Sequence, residues 1–177
     1  MMNLNQSAPD DAKWQLQDLL SELEGESDRA AAIVGAAWMD GILAELLSLS
    51  LIDHKESKDL LKGTLGLYLR RVKVAFCLGI ITDSEKSDLE TIGEIRNLFA
   101  HKIHRSSFNN SKVHTLCRKL HLGSRFVTKP NSATPRELFN ASVSVLAYNL
   151  GNVKERLRVK KPAIPDREGI LGGQVAA

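Results

Sequence analysis

A chain of 177 residues, 43% hydrophobic and 25% charged, is long enough to bury an apolar core in one domain without disulfides or metal. Its two cysteines have no CxxC or clustered His/Cys spacing, which excludes a zinc knuckle or disulfide scaffold, and no apolar run approaches the roughly 20 residues of a membrane span. The net charge of +3 hides a polarity: residues 1–63 hold 12 acids and 5 bases, whereas no Asp or Glu occurs between Ile95 and Arg136.

In chain order, residues 1–10 are polar with an early proline and are expected to be disordered. Trp14, Leu16, Leu19, Leu20 and Leu23 then recur at helical spacing, which predicts a helix over 11–24. Ser27 offers an N-cap and Asp28 a first-turn carboxylate for a long central helix, whose apolar set from Ile33 to Leu47 runs on to about Leu51. Gly35 and Gly41 inside it each cost about 1 kcal/mol relative to alanine, so close packing against another helix is expected at both. A short helix over 55–61 ends before Gly63. From Thr64 to Leu78, Leu65, Leu69, Val72 and Phe76 share one stripe, and Gly79 supplies the stop.

Thr82 and Glu85 form a capping box that opens a helix over about 82–104 with Leu89, Ile92, Ile95, Phe99 and Ile103 on its apolar face. A further helix over 110–120 buries Val113, Leu116, Cys117 and Leu120. Gly123, Pro130 and Asn131 mark 121–133 as a loop. Thr134, Pro135 and Glu137 then set a clear start for a last helix reaching Arg158. Cys77 and Cys117 both fall inside apolar helical patterns and read as small core residues. Beyond Lys160 the prolines and glycines lack periodicity, so the chain divides into a disordered 1–10, a helical domain over 11–158 and a flexible tail over 159–177. With no sustained alternation, strands are not expected, and the fold class is an all-α, single-domain bundle of six or seven helices. The polar start lacks a leader pattern, so a cytoplasmic protein is expected.

No P-loop, GxGxxG, HExxH or GxSxG element occurs, and no cofactor or metal is expected. One local cluster carries possible chemistry. Glu90, Glu94, Asn97 and His101 fall on one polar ridge opposite Ile92 and Phe99, with Arg96 at its flank. A fixed cation, an amide and an imidazole could hold a phosphate and move a proton. Equally, Asn97 and His101 could bond a neighbouring helix and Arg96 an acid of the acidic half. Beside the ridge, Lys102, Arg105, Lys112, Arg118, Lys119, Arg125, Lys129 and Arg136 extend a basic surface, which suits an acidic partner, a polyanion or the acidic half of a second copy.

The spacing Arg96-Asn97-x-x-x-His101 resembles the RNxxxH motif of the HEPN superfamily of helical bundles, several of which are ribonucleases. A longer stretch is similar to the bacterial mannitol operon repressor (MtlR) family, in which "ALGLI", an acid-rich helix start, "IREIRNDFAH" and "FDDP…C..L" follow in order. Here these are Phe76-Cys77-Leu78-Gly79-Ile80-Ile81, Asp83-Ser84-Glu85, Ile92 to His101, and Phe108-Asn109-Asn110 with Cys117 and Leu120. The likeness spans about residues 27–120. This chain departs from the pattern at Leu98 and at Asn109-Asn110, where the family carries acids, so its surface is more basic.

What the resemblance implies is an all-α transcriptional regulator working by protein–protein binding, its partner a DNA-binding regulator or another protein. The residues agree that no helix-turn-helix is present, since a helix starting Asp83-Ser84-Glu85 would turn acids toward phosphate. Non-specific nucleic-acid contact through 96–136 and a homodimer formed by charge complementarity are further expectations. The expected binding residues are Glu94, Arg96, Asn97, His101, Lys102, Arg105, Arg118 and Lys119. In the alternative reading, a metal-independent ribonuclease, Arg96 holds the scissile phosphate and His101 is the general acid or base.

Overall fold

The computed structural model describes residues 25–101 and 107–159, together with Ser21, Leu23, Pro162 and Ala163. The helix expected over 11–24, the disordered start and the tail beyond 159 lie outside the described residues apart from those few positions. Among the described residues every regular element is helical: α1 Asp28–Ser50, α2 Lys55–Lys62, α3 Tyr68–Cys77, α4 Asp83–His101, α5 Ser111–Cys117, α6 His121–Phe126 and α7 Pro135–Val159. The expected all-α bundle is what the chain forms.

Each long helix begins where its cap chemistry lies. Ser27 accepts the Ala30 N–H at 3.2 Å to open α1. At the head of α4 the Thr82 N–H donates to Glu85 Oε2 at 2.8 Å while Glu85 N–H returns to Thr82 Oγ1 at 3.3 Å. The same reciprocal pair joins Thr134 and Glu137 before α7. Gly79 closes α3 at φ +68°, a left-handed turn in which Ile80 N–H reaches the Ala75 carbonyl.

The core lies where α1 runs along α7, with α4 and α3 against its other buried flank. Its centre is aromatic: Phe99 of α4, Phe108 and Phe139 of α7 stack in tilted pairs at 5.1 and 5.3 Å between centroids. Gly35 of α1 sits under this stack, where an added Cβ would meet the Phe139 ring at 3.1 Å, as close packing requires. Gly41 is different. It is exposed and a Cβ there would meet nothing within 4 Å, so the expectation of a tight helix crossing fails at that position.

Four further expectations are corrected. The buried face of α3 is Tyr68, Val72 and Ala75, whereas Leu69 stands 47% exposed and Phe76 is half-buried. The helix starts only at Tyr68, after a turn through Gly63 and Gly66, so Leu65 is buried but out of phase with it. Tyr68 wins the inner face because its ring fits over Gly93 and its hydroxyl donates to the Leu89 carbonyl at 2.8 Å. Cys77 is exposed at the end of that helix, and only Cys117 is a core thiol. Residues 121–126 are helical rather than loop. Finally, α1, at 23 residues, is by length and composition long and apolar enough to cross a bilayer, although here its inner face forms the bundle core.

Candidate functional site

The polar ridge of α4 forms as its spacing predicts. Leu89, Ile92, Ile95 and Phe99 are fully buried, while Glu94, Asn97 and His101 are exposed and Glu90 is half-buried beside Lys86, its ion-pair partner at 2.9 Å. The imidazole of His101 therefore stands on the opposite side of the helix from Phe99. Ile103, Lys102 and Arg105 lie outside the described residues.

Arg96 is not part of the exposed row. It is half-buried, and at 100° per residue it lies about 140° around the helix from His101. On that side its charge acts on the Tyr68 hydroxyl. Burial pushes the Tyr68 pKa up, the nearby Asp40 carboxylate adds to this, and the Arg96 charge opposes it. Within one chain, then, the guanidinium and the imidazole of the RNxxxH segment point to different surroundings.

The basic stretch divides in the same way into cations with internal work and cations without. Arg118 donates through Nη1 to the Pro130 carbonyl at 2.7 Å and through Nη2 to the Ala133 carbonyl at 2.9 Å, which binds the loop before α7 to the end of α5. Arg136 pairs with Asp28 at 2.9 Å and also donates to the carbonyls of Leu23 and Glu26. Lys112, Lys119, Arg125 and Lys129 are exposed and make no ion pair among the described residues.

Sequence reasoning missed what holds this surface in place. Asp88, fully buried on α4, accepts the N–H groups of His121 at 2.8 Å and Leu122 at 2.9 Å, capping α6, and His121 Nδ1 lies 3.1 Å from the same carboxylate. One residue on, Gly123 N–H donates to Ser142 Oγ of α7 at 2.9 Å. A Cβ at Gly123 would fall 2.4 Å from both that oxygen and the Leu138 carbonyl. The glycine that suggested a loop is instead the contact that lets a six-residue helix lie flat on α7. Its end presents Phe126, 57% exposed. The available signal was Asp88 itself, a carboxylate on the apolar side of α4.

A groove of about 700 Å³ separates the Gly79–Thr82 turn from the last turns of α7 and is walled by Glu85, Asn149, Asn152 and Arg156. Glu85 is nearly buried there, and its Oε1 accepts from Asn149 Nδ2 at 3.1 Å. Among the described residues no group of three or more His, Cys, Asp or Glu side chains could hold a metal.

No family model and no curated protein matches the sequence. Among solved structures, a chain of the MtlR–HPr complex from Escherichia coli is similar, with a TM-score of 0.54 at 18% identity over 81% of this chain and 98% of that one. This chain has an MtlR-like fold. The match reaches beyond residues 27–120, the extent of the sequence resemblance, because 81% of the chain is more than that segment supplies. In that complex the MtlR-like bundle belongs to a protein-bound assembly.

Proposed function

We propose that the chain is a cytoplasmic regulatory module of the mannitol-repressor kind, which acts on transcription by binding another protein and carries no DNA-reading element of its own. The observation that supports this most directly is the MtlR-like fold, whose solved counterpart is a complex with HPr. HPr of the host is accordingly the first partner to test, and a DNA-binding regulator the second. The exposed row Glu94, Asn97 and His101 and the basic surface of α5 and α6 supply the contact. The charge polarity between residues 1–63 and 95–136 favours a homodimer as well, which light scattering at micromolar concentration reads directly.

Calorimetric titration of the chain with host HPr tests the reading. Saturable binding is expected, weakened about tenfold or more by the double substitution Asn97→Ala, His101→Glu. Absence of heat with both HPr and the host's mannitol-operon regulators would remove it. The ribonuclease alternative needs Arg96 and His101 to converge, and their placement about 140° apart on one helix supports it only if a second copy supplies one of them. Intact RNA after incubation with purified protein is the expected result.

A further inference from the structure

We infer that the ledge formed by α5, α6 and the Lys129–Ala133 loop is the docking face for an acidic protein, with Phe126 as its apolar anchor. This rests on the protein-binding reading above and names the chemistry of the partner. Four observations carry it.

The first is charge without compensation. Elsewhere in the described structure five cations are paired within the chain, Lys58 with Asp53, Arg71 with Asp40, Lys86 with Glu90, Lys154 with Glu45 and Arg158 with Glu155, and exposed cations outside these pairs, such as Lys55 and Lys62, lie in segments that also carry acids. On the ledge Lys112, Lys119, Arg125 and Lys129 are exposed with no carboxylate, because residues 107–134 contain none. The second is an exposed aromatic. Phe126 shows 57% of its surface to solvent immediately after Arg125 and three residues before Lys129. An exposed aromatic flanked by cations is the usual anatomy of a protein contact, where the ring supplies energy and the charges set orientation and association rate.

The third observation is rigidity. A loop tip would spend ordering entropy on binding, whereas α6 is capped by the buried Asp88, laid on α7 through Gly123 and Ser142, and flanked by a loop that Arg118 fastens to α5. The ring is thus presented on a fixed platform. The fourth separates protein from nucleic acid. Three of the four cations are lysines, Lys112 in α5, Lys119 in the turn after it and Lys129 in the loop. A lysine offers a point charge without the planar fork that grips phosphate, so a compact acidic surface seated on the Phe126 ring fits this set better than a phosphate backbone.

The test places the photo-reactive analogue p-benzoylphenylalanine at position 126 of the full chain in its host. The cross-linked peptide is then mapped by mass spectrometry. A protein adduct is expected, at a peptide carrying several Asp or Glu, reduced at least about tenfold by Lys112→Glu, Lys119→Glu, Arg125→Glu and Lys129→Glu together. All four sites are exposed, and an unchanged circular dichroism spectrum establishes that the variant folds. Adducts to nucleic acid, to a second copy of this chain or to a peptide poor in acids would overturn the proposal, as would no adduct or one indifferent to the charge reversal. Titration with HPr keeps the two readings apart. Binding unaffected by Phe126→Ser and by the charge reversal leaves the protein-binding reading standing and removes the ledge. A charge-dependent adduct with an acidic protein, alongside no heat on titration with HPr, leaves the ledge standing and removes HPr.

Discussion

Asp28 does more than greet the positive end of α1. Its Oδ2 accepts the Ser107 hydroxyl at 2.9 Å and the Phe108 N–H at 3.0 Å, while Oδ1 meets Arg136. Burial raises its pKa, but the hydrogen bonds from Phe108 and Ser107 and the Arg136 charge outweigh that, leaving the carboxyl below the ordinary aspartate range. A carboxyl lowered in the folded state stabilises fully above its unfolded pKa, and the contribution is lost as pH falls through the folded value, below about pH 4. Asp28→Asn is therefore expected to cost about 1–3 kcal/mol in urea melts at pH 7, and that gap is expected to shrink as pH falls below about 4. The two cysteines give a second residue-scale expectation. Burial pushes the Cys117 thiol up to about 12, whereas Cys77 is exposed, so native protein should take up one equivalent of iodoacetamide at Cys77 and a second only after unfolding.

At the scale of elements, α6 is the informative one. Its six residues are too few to be stable alone, so it persists because Asp88 and Ser142 satisfy its backbone and Gly123 permits the approach. Gly123→Ala, with a Cβ 2.4 Å from backbone and side-chain oxygens, should lower stability by about 3 kcal/mol or more and release residues 121–133 to hydrogen exchange. Gly41→Ala is the matching control: with nothing within 4 Å, it should raise stability by about 0.5–1 kcal/mol through helix propensity alone. The contrast explains which elements were legible in the sequence. Capping boxes at Thr82 and Thr134 and the period of α4 are local, and the structure keeps them. The phase of α3 and the existence of α6 depend on Gly93 under Tyr68 and on Asp88 across 33 residues, which no window of local pattern contains.

For the whole molecule, one core runs without a break from Leu23 to Leu150 and includes residues of every helix but α2. A single cooperative thermal transition, with calorimetric and van't Hoff enthalpies in agreement, is the expected behaviour, and two resolved transitions would contradict it. The candidate surface was legible in part for the same reason that α4 was. The exposure of Glu94, Asn97 and His101 follows from helical period, but the half-burial of Arg96, the internal bonds of Arg118 and Arg136 and the standing of Phe126 could be seen only once distant segments met.

The pairing of α1 with α7 also has a consequence for synthesis. The first long helix is matched by the last, and the seats for Phe139 against Gly35 and for Arg136 against Asp28 stay vacant until more than three quarters of the chain has been made. A ribosome-bound nascent chain ending before Thr134 would hold an apolar 23-residue helix with its best partner missing, a natural client for chaperones. Release of the final stretch, rather than emergence of α1, would then be the moment at which the polypeptide becomes protease-resistant.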